Sequence, residues 1–296
     1  MIINQANLTT IYHALNTVFN AAFAGAPTFY EEVAMVVQSN GRLNDYKFML
    51  QFPMLKEWIG DRQIQSLAAS TFQIENKDYE ATVEIDRNDV EDDQVGLYHP
   101  IVAELGRAAK QHPDFLLATL MSEGFSTPCY DGKNFFASDH PVGEGTRSNY
   151  GVGSDVAWFL LDNTRAIRPF IFQYRSQPQL VRQDRDDDEH NFMRKKIRYG
   201  VQYRGAVGFG LWQLAYASRS TLNATNYAAA RASMMQLTND EGVPLGVRPN
   251  LLVVPPSLEA QAKDVLMAEL AGVAGEGTKT NIWRGTAELL VVPWLT

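Results

Sequence analysis

Residues 34–64 read AMVVQSNGRLNDYKFMLQFPMLKEWIGDRQI. Leu43, Tyr46, Phe48, Met49, Leu50, Phe52, Met54, Leu55, Trp58 and Ile59 crowd into this span, with Pro53 in its middle. A proline there argues against a helix interior or a central strand, because it lacks the N–H that either would use. Gly60-Asp61 marks a turn, and Ile64, Leu67, Phe72 and Ile74 follow on the return path. The stretch therefore reads as an extended hairpin over 42–78. An apolar surface of this size must be buried, on a local satellite core or on another molecule.

Towards the N-terminus, Leu8, Tyr12, Leu15, Phe19 and Phe23 recur at helical spacing. Thr9 or Thr10 is the expected cap and Gly25-Ala26-Pro27 the stop. Beyond the hairpin, YEATVEID (79–86) alternates Tyr79, Ala81, Val83 and Ile85 with polar residues, the pattern of a strand with one wet face. The acidic run Glu91-Asp92-Asp93 precedes a helix expected from about Pro100, where carboxylates suit the positive end of the dipole. Ile101, Leu105, Ala108, His112, Leu116 and Thr119 or Leu120 keep one phase across Pro113, which predicts a single kinked helix ending at Gly124.

The glycine-rich stretch 125–155 is expected to be a mobile loop. Segments 157–162, 168–174, 179–183, 196–207 and 209–217 are spaced like antiparallel strands. Residues 224–237 predict a helix, LLVVPP (251–256) a buried strand, 257–270 a helix capped by Ser257, and ELLVVPWL (288–295) a final strand. The mixture is α+β.

The chain has 296 residues, 45% hydrophobic, enough for a substantial core. Its net charge of −8 disfavours a phosphate-gripping protein, which needs a basic face. Arg194-Lys195-Lys196 is the densest basic run and reads as a solvated strand edge. The single cysteine, Cys129, excludes an intramolecular disulfide and reads as a small buried residue. No segment has the length of a membrane span, and no basic signal-peptide region opens the chain. The five histidines form no zinc-hydrolase pair, and nucleophile-elbow and Walker sequences do not occur. Asp139-His140 is too isolated to suggest a catalytic dyad. Asp184, Asp186, Asp187, Asp188 and Glu189 read as a solvated hairpin turn, with a calcium site as the alternative. Neither a catalytic residue nor a cofactor or metal is expected.

Five phrases, residues 34–64, PCYDGKNFF (128–136), RPFIFQYRSQPQL (168–180), GFGLWQLA (208–215) and PNLLVVPPSLEAQAKDVL (249–266), together resemble the major head subunits of Mu-like bacteriophages and prophages, the gpT family. The resemblance implies a Hong Kong 97-type capsid fold. Its parts would be an N-terminal arm with a lead-in strand (1–41) and an E-loop hairpin (42–78). A peripheral domain would follow (79–124 and 156–220, spine helix about 100–123), with the loop 125–155 and an axial domain (221–296). The sheet of 158–217 would pack on the spine helix. The arm and hairpin would contact a neighbouring subunit through Tyr12, Phe19, Phe48, Phe52, Met54, Leu55, Trp58 and Ile59. Also implied are a homo-oligomer of hexamers and pentamers, assembled in the bacterial cytoplasm and carried in the virion. Its partners would be a scaffold, protease, portal and decoration protein. The alternatives are a metal-dependent enzyme using Asp184–Glu189 and a minor head or tail protein.

Overall fold

The computed structural model describes residues 4–46, 72–185, 188–273 and 277–295. Two sheets set the layout of this α+β chain. In the first, β9 (Phe170–Gln183) and β10 (Lys196–Phe209) form a long antiparallel pair. β4 (Lys77–Asp86) flanks β10 antiparallel, and β1 (Ala34–Gln38) flanks β9 in parallel. Residues 168–174 and 179–183, expected as separate strands, belong to this one β9. Pro178 falls in the ladder gap between the pairs Arg204–Ser176 and Gln202–Gln179, and beyond the end of β1. It therefore removes no ladder bond. The register also shifts at Arg204–Gly205, where a Cβ on Gly205 would stand 2.8 Å from the Gln173 carbonyl.

The second sheet runs β15 (Glu288–Val291), β12 (Leu251–Val254), β8 (Trp158–Leu161), β11 (Ala215–Ser218), β7 (Tyr150–Gly151). β8 and β12 are buried at every residue, which is why they read as unbroken apolar runs. Three two-stranded ribbons complete the described strands: β2 (Leu43–Asp45) with β3 (Gln73–Glu75), β5 (His140–Val142) with β6 (Gly145–Arg147), and β13 (Leu270–Val273) with β14 (Gly277–Thr280).

This topology corrects the expected limit 156–220. β8 and β11, at its two ends, lie in the sheet of 251–295. β9 and β10, between them, lie in the other sheet, against the long helix α4 (His99–Glu123). The chain leaves the central sheet after β8, makes the long hairpin, and returns in β11. Leu295, the last described residue, lines a small cavity with Val156 and Ala157.

Helix α1 (Gln5–Gly25) is capped by Asn4, whose Oδ1 accepts from the Asn7 N–H at 2.9 Å. Thr9 and Thr10 are not caps; their hydroxyls donate back to the carbonyls of Gln5 and Ala6. Leu8, Ile11, Leu15 and Phe19 are buried in a cluster with Val102, Leu105 and Ala109 of α4, and with Leu180 and Tyr199. α4 runs through Pro113, but its buried face is Val102, Leu105, Gly106, Ala109, Pro113, Leu117 and Met121. Ile101 and Ala108 face solvent, so the expected phase was displaced. The displacement follows from small residues. A Cβ on Gly106 would stand 2.5 Å from the Phe19 carbonyl, so α1 approaches α4 where the sequence shows no large side chain.

The segment 125–155 is not the expected loose loop. Phe135, Phe136, His140 and Asn149 are buried in it, and Phe135 stacks on Phe209 with centroids 4.4 Å apart. Its glycines and prolines mark chain reversals inside a packed region. The shorter helices are α2 (Tyr30–Val33), α3 (Arg87–Glu91), α5 (Glu189–Arg194), α6 (Ala224–Met235) and α7 (Glu259–Leu266). Ser257 does not cap α7; it lies in the turn Pro256–Leu258, and Leu258 at the cap position makes no side-chain bond.

Candidate assembly surfaces

β2 and β3 are the two rails on which the chain leaves and re-enters the first sheet. Between them and β9 lies a buried polar network. Tyr46 Oη donates to Gln173 Oε1 at 2.8 Å, and Gln173 Nε2 donates to the Ile74 carbonyl and to Asn76 Oδ1, each at 2.9 Å. Asn76 Nδ2 donates in turn to Ser39 Oγ at 2.8 Å and to the Gly41 carbonyl at 2.9 Å. Ser39, Asn76 and Gln173 are all buried. A satisfied network in a low-dielectric setting specifies one geometry, because any slip would leave buried polar groups without partners. Burial raises the Tyr46 pKa, against the opposing hydrogen bond from Asn44, so the phenol remains a donor. Four uncharged polar residues widely spaced in sequence offer no local motif. Only Gln173 lies within a strand; Ser39, Tyr46 and Asn76 stand just past strand ends, where polar residues are ordinary.

Of the residues expected to meet a neighbouring subunit, Phe48, Phe52, Met54, Leu55, Trp58 and Ile59 lie outside the described residues. Phe19 is 1% exposed, within the subunit's own core. Tyr12 is half-buried: its hydroxyl donates to the Leu180 carbonyl at 2.9 Å, and the Arg182 guanidinium lies 4.7 Å from its ring centroid. The apolar face of α1 is thus consumed inside the chain. Large apolar side chains that stay exposed include Leu97, Ile101 and Phe115 along α4, and Met267, Leu270 and Ile282 near the β13–β14 ribbon.

The acidic run was expected as a solvated hairpin turn; its described residues instead open a connection from β9 to β10 that includes α5, with Asp184 buried and Glu189 the first residue of that helix. Asp184 is buried beside Arg182, at 3.4 Å, and desolvation raises its pKa despite that partner. Asp186 and Asp187 lie outside the described residues. Lys195, in the basic triplet, terminates α5 with φ 53°, and Lys196 pairs with Glu84 at 3.6 Å.

The turn after α4 brings together residues the sequence left apart. Cys129 Sγ donates to Asp131 Oδ1 at 3.1 Å, and His140 Nδ1 stands 2.6 Å from Asp131 Oδ2. The partner of His140 is therefore Asp131 and not its sequence neighbour Asp139, which pairs with Lys133. Burial pushes the Cys129 thiol far above its usual range, with the Asp131 charge adding to the effect. Burial would also raise Asp131, but hydrogen bonds from His140, the Lys133 N–H and Cys129 reverse the direction and hold its pKa down. His140 faces Asp131 rather than the sulfur, so the arrangement does not activate a nucleophile. The local signal is a glycine after the aspartate: Gly132 has φ +81°, its N–H donates to the Cys129 carbonyl at 3.0 Å, and the Lys133 N–H donates to Asp131 Oδ1 at 2.9 Å, which holds the carboxylate over the turn.

The profile of the Mu-like prophage major head subunit gpT family matches residues 8–295. The chain belongs to that family. The major capsid protein of Escherichia phage Mu is 39% identical to this head subunit over 306 residues, covering 100% of both chains. The Mu-like prophage FluMu major head subunit of Haemophilus influenzae is also 39% identical, over 94% of each. A chain from the procapsid of bacteriophage JBD30 superposes with TM-score 0.86 and 40% identity, over 99% of this chain and 100% of that one. The α+β fold of the head subunit is accordingly that of the phage major capsid proteins, the Hong Kong 97-type. It is a structural protein of the virion shell and not an enzyme, and it works as an assembly of copies of itself.

Proposed function

We propose that copies of this head subunit form hexamers and pentamers that close into an icosahedral shell around phage DNA. What supports the reading is the superposition, over almost the whole chain, on a subunit taken from a procapsid. Residues 47–71 would reach over the adjacent subunit from the fixed β2–β3 root, burying Phe48, Phe52, Met54, Leu55, Trp58 and Ile59 there. Tyr12 would contribute only through the part of its ring left accessible beside Arg182. A shell of this kind sums many modest contacts into a closed surface, so no single interface needs high affinity. The net charge of −8 suits a container that must hold DNA without adhering to it. A scaffold and a protease would act before closure, a portal would admit the DNA, and a decoration protein would bind the outside.

Expression of the chain, alone and with a scaffold protein of a Mu-like phage, followed by size-exclusion chromatography and negative-stain microscopy, tests this. Closed shells with five-fold and six-fold clusters are the expected result. A chain that stays monomeric in both cases defeats the reading.

A further inference from the structure

The Cys129–Asp131–His140 cluster carries more chemistry than a packing role needs. One ligand atom from each residue (a sulfur, a carboxylate oxygen and an imidazole nitrogen) lies within 4.8 Å of the other two. Cys129 and His140 are buried, and Asp131 keeps a narrow exposed edge, its side chain 10% accessible. The three come from the turn after α4 and the start of β5, and His140 lies flat against Trp212 with centroids 4.0 Å apart and planes at 8°.

The second observation concerns the other side of the imidazole. Asn149 is buried, and its amide orientation is set by the backbone. Nδ2 donates to the carbonyls of Phe135 (2.8 Å) and Trp212 (3.4 Å), while Oδ1 accepts from the Ala137 N–H (2.9 Å). Asn149 Oδ1 is therefore the atom that faces His140 Nε2, at 3.1 Å. Nε2 must carry a hydrogen, which leaves Nδ1 as the atom turned toward the Asp131 carboxylate, with the Cys129 sulfur within 4.8 Å. Metal-binding histidines are oriented in this way, with the non-ligating N–H donated to a fixed oxygen. Two electron-rich atoms, Nδ1 and Asp131 Oδ2, cannot rest 2.6 Å apart without a positive species between them.

We propose that Cys129 Sγ, Asp131 and His140 Nδ1 bind one thiophilic divalent transition-metal ion of the zinc class. In the metal-free site two protons occupy its place, one on the sulfur and one between Asp131 and His140. Entry of the ion expels both, so two positive charges enter as two leave and the buried net charge is unchanged. A tetrahedral zinc ion sets nitrogen and oxygen ligands about 3.3 Å apart and a sulfur about 3.5 Å from either, so the Asp131 contacts must open from 2.6 and 3.1 Å while the sulfur and imidazole, within 4.8 Å of each other, come to that spacing. A water reaching in along the exposed Asp131 edge completes the four positions. The ion would tie the turn at 129–133 to β5, within a region that both sheets pack against.

Cobalt(II) titration of the purified full-length subunit and of assembled shells tests the proposal. Cys129 is the single cysteine, so a thiolate-to-cobalt charge-transfer band can come from no other residue. The expected result is a band that saturates at one cobalt per chain and is displaced by zinc. Zinc should also raise the melting temperature of the wild-type chain and leave that of Cys129→Ala unchanged. Asp131→Asn, which keeps the thiol, should bind at least ten-fold more weakly, so the result stands even where Cys129→Ala does not fold. Absence of the band at stoichiometric cobalt, or wild-type affinity in Asp131→Asn, overturns the site and leaves a proton as the bridging species.

Discussion

Asp114 shows how a single buried charge ties two elements. It sits in the middle of α4 directly after Pro113, and its carboxylate accepts the backbone N–H groups of Phe29 and Tyr30. Desolvation raises its pKa to about 6, although those N–H groups and Lys110 pull the other way. The native state therefore holds a proton that the unfolded chain releases near its ordinary value of 3.8. By linkage, stability rises as pH falls through about 6 and levels off below about 4. The shift from 3.8 to about 6 bounds this gain at roughly 3 kcal/mol. Asp114→Asn keeps one acceptor for Tyr30 and loses the titration. Thermal melts from pH 8 to pH 4 should therefore show the wild type gaining on the variant as pH falls, and parallel curves would refute the assignment. At Gln173 the loss is of partners. Gln173→Ala would remove the acceptor of the Tyr46 hydroxyl hydrogen bond and the donor to Asn76 Oδ1, costing about 1–3 kcal/mol for the buried Asn76 oxygen. Urea unfolding of the free subunit measures that cost.

Among the elements, α1 departs most from the arm implied by the family resemblance. Leu8, Ile11, Leu15 and Phe19 seal it to α4 of the same chain, with Gly106 permitting the close approach. Limited proteolysis should accordingly find residues 5–25 protected in free subunits as well as in shells. Cleavage confined to the free form would mean that α1 docks only when a neighbour is present. Gly106→Ala forces a Cβ into the Phe19 carbonyl, and the two backbones must separate, for a loss of about 1–3 kcal/mol in chemical denaturation. The hairpin beyond β2 and β3 behaves in the opposite way if its apolar side chains serve another subunit. Trp58→Ala should then leave the circular dichroism and melting of the free subunit unchanged while shell yield falls sharply. Loss of the fold in that variant would place Trp58 in the subunit's own core.

For the molecule as a whole, the long β9–β10 hairpin unites the two sheets, because β8 before it and β11 after it both belong to the central sheet. Motion of one sheet relative to the other must bend the connections at Leu161–Phe170 and Phe209–Ala215. The latter carries Trp212, buried against His140. The aromatic cluster of Phe135, Phe136, Phe159, Phe170 and Phe209 fills the space between the sheets. Large-to-small changes there cost about 3–5 kcal/mol each, enough to unfold a marginally stable subunit before any question of assembly arises.

The sequence alone carried the α+β class, the strands at 79–86 and 251–254, the helix across Pro113 and the resemblance to phage head subunits. Each rests on local periodicity, a punctuating residue or a long run of matching phrases, and none needs knowledge of distant partners. The tertiary structure decided the rest. The buried side of α4 depends on Gly106 and Ala109, which advertise nothing as hydrophobes yet let α1 come close. The polar root of the hairpin joins Ser39, Tyr46, Asn76 and Gln173, which meet only because β1 and β9 pair in parallel. The membership of β8 and β11 in one sheet and of β9 and β10 in the other is set by where the hairpin leaves and returns. Spacing along a chain reports which face of an element is apolar; which partner covers that face is settled by long-range packing.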